Sequence, residues 1–155
     1  MNKVLPNSAN AQNTLERYKE SYKRISAKKT DILKILSSYS CFLGRVTLTD
    51  PSILDYLSQP KNIKNKKTAS QFLKDVNAIN KEVDSGEDLG SRLRQYKYRE
   101  FSRIIYRDIL SLSPFSDTME ELSDLASAIV ESVVRFFSEE LDTKPNGEFV
   151  VLGMG

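Results

Sequence analysis

Apolar side chains recur every three or four residues along most of this chain of 155 residues. Residues at that spacing lie on one face of an α-helix, and such a face has to be buried against another helix. Five or six segments between residues 14 and 142 carry the pattern. The sequence therefore predicts an all-α fold, a helical bundle of five to six helices.

Capping residues set the predicted bounds of several helices. Asp50 can accept a hydrogen bond from an N–H group of the first turn, and Pro51 suits the first helical position. Asp117 and Glu120 have the spacing of a capping box. The apolar pattern runs through Cys41, which we expect to pack in the core. The predicted helices span residues 14–27, 30–48, 51–60, 68–85, 88–112 and 117–141. A basic break at 27–30 separates the first two, and a basic loop at 61–67 precedes the fourth.

The end of the chain has a different pattern. Residues 144–147 are a turn signal, and residues 149–152 are four apolar, β-favouring residues, as in a strand buried on both faces. The helices offer this strand at 148–152 nothing to pair with, so we expect it to begin an α+β domain absent from this chain. Within this chain the strand could pair with its copy in a homodimer, which is the alternative we favour, pack its apolar side chains against the bundle, or stay disordered. The predicted organisation is a flexible N-terminus at 1–13, a helical lead-in domain at 14–145, and the first strand and loop of a truncated domain at 146–155.

The composition excludes several kinds of site. There is no histidine and a single cysteine, which rules out Cys/His zinc sites, Ser-His-Asp triads and a disulfide within the chain. Carboxylates, lysines and arginines remain, a set that suits phosphoryl or nucleotidyl transfer assisted by magnesium. No apolar run approaches the roughly 20 residues of a membrane span, and no secretory signal opens the chain. We expect a cytoplasmic protein without a membrane partner.

Charge is distributed unevenly along the sequence. Residues 1–114 contain 21 Lys and Arg against 12 Asp and Glu, a balance of +9, whereas residues 115–155 contain 2 against 9, a balance of −7. One interpretation is that the acidic final helix packs beside basic helices. The other is a basic surface for nucleotide phosphates or nucleic acid.

The helix predicted at 88–112 carries an arginine stripe. Arg92, Arg99, Arg103 and Arg107 fall within about 80° of one another, opposite the apolar face that includes Ile104. The stripe is typical of a solvated helix face, and we expect Glu100 and Asp108 to be structural partners of neighbouring arginines rather than general bases. Alternatively, Arg103 and Arg107 lie over nucleotide phosphates, because an Arg fork matches two phosphate oxygens at once.

Four segments together resemble the N-terminal half of the glutamine-synthetase adenylyltransferase family. They are FLGRVTLTDPSILDYL at 42–57, RLRQYKYREFSRIIYRDIL at 92–110, EELSDLASAIVESVVRFF at 120–137 and FVVLGMG at 149–155. Their order and spacing fit the family, and the G-M-G form resembles its adenylyl-removing half. The resemblance implies a bifunctional nucleotidyltransferase that attaches AMP from ATP to glutamine synthetase and removes it with phosphate, under control of the regulator PII.

The resemblance also sets what this chain can do. It implies Mg²⁺ and ATP as cofactors of the complete enzyme, but the K-L-G-G and S-D-x-D motifs that hold them follow the last residue here. We therefore expect no bound cofactor and no activity from these 155 residues alone. The candidate nucleotide-binding residues are Gly153, Gly155, Arg103 and Arg107. The alternative is a stand-alone helical interaction module whose basic face binds a protein or nucleic acid, and nucleic acid is not the favoured partner.

Overall fold

The computed structural model describes residues 5–140, with the side chain of Glu140 left out. These residues form eight helices and no strand, which confirms the all-α prediction for this part of the chain. The strand predicted at 148–152, and the pairing expected through it, lie outside the described residues. The helices are α1 (Ser8–Tyr22), α2 (Ala27–Tyr39), α3 (Cys41–Thr49), α4 (Ser52–Ser58), α5 (Pro60–Lys64), α6 (Ala69–Asn80), α7 (Gly86–Ile109) and α8 (Phe115–Glu140).

The described helices divide into two compact units. The first contains α1 to α5 together with residues 101–114. Within it α2 packs against α1, α3 and α4, as its broad apolar circumference predicts. Gly44 lets α3 approach closely, because a Cβ there would lie 3.0 Å from Ser37 Cβ and 3.4 Å from Thr14 Oγ1. The most deeply buried apolar residues of this unit are Ile32, Leu33, Leu36, Leu43, Ile53, Leu54, Leu57 and Ile104.

The second unit contains residues 66–100 and α8. Its main helix pair is α6 against α8. Asn80 and Ser132 join the two helices by a double hydrogen bond, in which Asn80 Nδ2 donates to the Ser132 carbonyl oxygen at 3.1 Å and Ser132 Oγ donates to Asn80 Oδ1 at 2.6 Å. Phe72, Val76, Leu89 and Leu125 are buried in this unit.

The helix predicted at 30–48 is wrong as a single element. Ser40 is extended, with φ −150° and ψ 115°, and it ends α2 and begins α3. Its N–H donates to the Leu36 carbonyl oxygen at 2.9 Å, while its Oγ accepts from the Leu43 N–H at 3.3 Å. One serine therefore caps two helices, with no glycine or proline within three residues of it.

Three smaller predictions also need correction. Cys41, expected in the core, is exposed at the first position of α3. Residues 60–64, expected after a helix end and in a basic loop, form α5 because Pro60 fits the first helical turn. Helix α1 begins at Ser8, earlier than predicted, because Asn7 Oδ1 accepts from the Asn10 N–H at 2.9 Å and caps it.

The hydrogen bond predicted for Asp50 at the start of a helix is confirmed. Asp50 Oδ1 accepts from the Ser52 N–H at 3.1 Å at the start of α4. None of the helices within residues 5–140 combines the length and apolar character that crossing a bilayer requires.

Candidate functional site

Helix α7, which carries the arginine stripe, buries charged residues on the same face as apolar ones. Tyr96, Glu100, Arg103 and Arg107 are respectively 3%, 0%, 0% and 3% exposed, and Leu93 precedes them on this face. The spacing of these residues, alternately three and four, keeps them on one side of the helix. A solvated position for Arg103 and Arg107 is therefore wrong.

The apolar face predicted for this helix is only partly buried. Ile104 is fully buried, whereas Leu112, placed in the same apolar stripe, lies after the end of α7 and is 49% exposed. Hydropathy assigns arginine and glutamate to the solvent side, but partnered charges can be buried. The apolar pattern therefore identified Leu93 and Ile104 as buried but missed the buried charged residues of the same helix.

In the second unit, Glu100 belongs to a charged group that we call the Lys67 cluster: Lys67, Asp75, Tyr96 and Glu100. Lys67 Nζ lies 2.9 Å from Glu100 Oε1 and 2.7 Å from Asp75 Oδ2. Tyr96 Oη donates to the same Asp75 oxygen at 2.9 Å. Lys67 Nζ is also 5.7 Å from the centroid of the Tyr96 ring. One ammonium group thus lies between two carboxylates and an aromatic ring.

Burial fixes the protonation of the tyrosine in this cluster. Desolvation, followed by the negative charges of Glu100 and Asp75, raises the pKa of Tyr96 well above its ordinary value. The hydroxyl therefore stays protonated and donates to Asp75. This arrangement suits a hydrogen-bond donor that orders the cluster rather than a general base.

The first turns of α8 bind the basic segment before α6. Lys66 Nζ contacts Asp117 Oδ1 at 3.1 Å and Glu120 Oε2 at 2.9 Å, and these bonds, that of Glu120 first, raise the pKa of Lys66. The Lys67 N–H donates to Glu121 Oε1 at 2.8 Å. Asp117 and Glu120, predicted as a capping box, instead lie inside a helix that begins at Phe115. Within this unit, basic residues do pack beside the acidic helix.

In the first unit, Arg107 Nε donates to the Ile63 carbonyl oxygen at 3.1 Å. This bond fixes the end of α5 with a charged donor. Burial, followed by the charge of Asp31, raises the pKa of the neighbouring Tyr106. Because Arg103 and Arg107 are both buried, neither presents much surface to a ligand.

The predicted nucleotide-binding residues are not brought together by the described part of the chain. Gly153 and Gly155 lie outside it, so the nucleotide contact stays a prediction. Within residues 5–140 no group of His, Cys, Asp and Glu side chains is arranged to hold a metal ion. Lys67 was not among the predicted site residues, because residues 61–67 were expected to form a basic loop; its one signal is a lysine run just before a helix start.

Known proteins resemble this chain over most of its length. The family described as glutamate-ammonia ligase adenylyltransferase matches residues 30–155. Among curated relatives, the bifunctional glutamine synthetase adenylyltransferase/adenylyl-removing enzyme of Pseudomonas aeruginosa is 26% identical over 130 residues, covering 77% of this chain. The enzyme of the same name from Methylococcus capsulatus is 28% identical over 102 residues, 64% of this chain. That from Nitrosococcus oceani is 24% identical and covers 93% of this chain.

These matches involve only a small part of each relative. The chain spans 13% of the Pseudomonas enzyme, 11% of the Methylococcus enzyme and 16% of the Nitrosococcus enzyme. No solved structure gives a significant match. Because the family match extends over residues 30–155, the chain belongs to the glutamate-ammonia ligase adenylyltransferase family.

Proposed function

We propose that this chain is the helical lead-in of an enzyme that adds AMP to glutamine synthetase and removes it with phosphate. The observation that carries the proposal is the family match, which runs through the four segments that resemble the family. The relatives, each named as a bifunctional glutamine synthetase adenylyltransferase/adenylyl-removing enzyme, supply the reaction. The G-M-G end at 153–155 favours a position before the adenylyl-removing domain.

We propose that magnesium and ATP are not held by the residues of this chain alone. The sequence contains no S-D-x-D pair, and residues 5–140 contain no carboxylate group arranged for a metal ion. Asp75 and Glu100, the two carboxylates of the Lys67 cluster, are both bound to Lys67. We therefore assign magnesium and nucleotide chemistry to a domain outside these residues.

The helices in this proposal serve the complete enzyme as a scaffold. Glutamine synthetase is the proposed partner, and PII is the proposed regulator. A nucleotide contact by Arg103, Arg107, Gly153 or Gly155, and a homodimer through the last strand, stay predictions for the complete protein.

An activity assay tests the proposal. The purified chain of 155 residues is incubated with adenylylated glutamine synthetase, phosphate and Mg²⁺, and ADP release is followed. We expect no release above a control without protein, because no paired aspartates are present to hold the metal. Sustained ADP release by the chain alone would show that the catalytic groups lie within it.

A further inference from the structure

A surface pocket of about 470 Å³ lies in the first unit, at the turn that joins α1 to α2. Its volume falls within the range of roughly 300–1,000 Å³ of small-molecule sites. The residues that line it are Lys19, Lys23, Arg24, Ile25, Ser26 and Lys29. Four of these six carry a positive charge and none is acidic, so the lining suits an anion.

Most of these cations have no acidic partner within residues 5–140. Lys29 Nζ pairs with Asp55 Oδ1. Among the residues that the structure describes, no ion pair involves Lys19, Lys23 or Arg24. Three cationic side chains therefore share one pocket without a carboxylate in contact.

The backbone holds Lys23 in a conformation that favours glycine. Lys23 has φ 57° and ψ −41°, and the Arg24 N–H donates to the Tyr22 carbonyl oxygen at 2.6 Å. These values describe the strained form of γ-turn. Glycine would adopt it at no steric cost, yet the chain has lysine here, which keeps a cation in the pocket wall.

The start of α2 adds to the positive potential. Ser26 caps this helix, and its Oγ accepts from the Lys29 N–H at 3.4 Å. The first turn of a helix carries a partial positive charge from its N–H groups. In this pocket that charge lies beside the three lysine and arginine side chains that have no acidic partner.

We propose that this pocket, the α1–α2 pocket, binds a small ligand that carries two or more phosphate groups. The pocket is larger than a single phosphate requires, and cations contributed by the end of α1 and the turn can bind successive phosphates by charge-assisted hydrogen bonds. Ile25, which is half-buried, offers an apolar contact for the remainder of the ligand. The proposal does not depend on the catalytic function proposed above.

Calorimetric titration tests this binding proposal. The full chain is titrated with tripolyphosphate and, separately, with orthophosphate. We expect tripolyphosphate to bind with a Kd below about 1 mM at low salt, and orthophosphate to bind at least about tenfold more weakly. The pair Lys23→Gln and Arg24→Gln should weaken tripolyphosphate binding by about tenfold or more, because two charge-assisted contacts are lost.

Two controls separate the pocket from general charge and from folding. Lys74→Gln with Lys81→Gln removes the same charge from exposed positions of the second unit, and we expect affinity to stay within about twofold. Lys23→Gly removes a cation and relieves the strained φ. It should weaken binding without lowering the melting temperature.

Three results would overturn the proposal. One is that titration with tripolyphosphate gives no measurable heat. Another is that Lys74→Gln with Lys81→Gln lowers the affinity as much as Lys23→Gln with Arg24→Gln. The third is tighter binding of a single-stranded oligonucleotide than of tripolyphosphate, which would indicate an extended nucleic-acid surface instead.

Discussion

At the scale of single residues, the charges buried in this chain act through their partners. Glu100 is fully buried, and Lys67 Nζ lies 2.9 Å from it, with Arg99 Nε farther away at 3.7 Å. Glu100 was expected to be a structural partner of an arginine rather than a general base. A structural role fits these contacts, and of the two partners the lysine, which is distant in sequence, is the closer. A buried carboxylate needs such a partner, because its charge is costly to desolvate.

Lys67→Met should therefore destabilise the fold strongly. Methionine keeps the length and apolar stem of lysine but leaves Glu100 and Asp75 without the ammonium group. We expect the free energy of unfolding in urea to fall by about 2–3 kcal/mol, slightly below the usual cost of breaking a buried pair, because Lys67 is 22% exposed.

Lys66→Met is the matched control, since it applies the same substitution to the adjacent residue. Its partners Asp117 and Glu120 are 29% and 59% exposed, so water can replace the ammonium group, and we expect a much smaller loss. A double-mutant cycle with Glu100→Gln isolates the Lys67 interaction. Equal losses for the two lysine variants, or no coupling in the cycle, would show that Glu100 does not depend on Lys67.

At the scale of helices, Ser40 decides that two elements form where the apolar pattern predicts one. The pattern continues through Leu36, Leu43 and Val46, and all three are buried. Periodicity reports which residues face the core, and it is insensitive to one extended residue between two helices that bury the same side. Ser40 could have been recognised as a cap, but serine is common at many positions that cap nothing.

Ser40→Ala should weaken this junction. Alanine cannot accept the hydrogen bond from the Leu43 N–H, which leaves the first turn of α3 without its cap. We expect a loss of about 1 kcal/mol in the free energy of unfolding, measured by urea titration with circular dichroism.

Ser91→Ala serves as the comparison, because Ser91 is exposed in the interior of α7. Alanine favours a helix interior, so the change should be neutral or slightly stabilising. If Ser40→Ala proves as neutral as Ser91→Ala, the serine does not hold the junction between α2 and α3.

At the scale of the whole molecule, the sequence predicts the fold class and most helices, but not which charged residues are buried. Amphipathic periodicity located α6, α7 and α8 to within a few residues at most ends. Burial of Arg103 and Arg107 depends on tertiary partners, which hydropathy does not contain. The α1–α2 pocket was also missed, because residues 27–30 were taken for a basic break, whereas α2 begins at Ala27.

The family assignment supports the proposal made above, whose central claim is that catalysis requires residues other than these 155. The most direct measurement uses a longer protein, translated from the natural gene beyond residue 155. This protein is incubated with adenylylated glutamine synthetase and phosphate, and the release of ADP is measured. We predict that this longer protein contains an S-D-x-D pair and releases ADP, and that changing either aspartate to asparagine abolishes the release. A longer protein that lacks the pair, or one that carries it and yet releases no ADP, would contradict the claim.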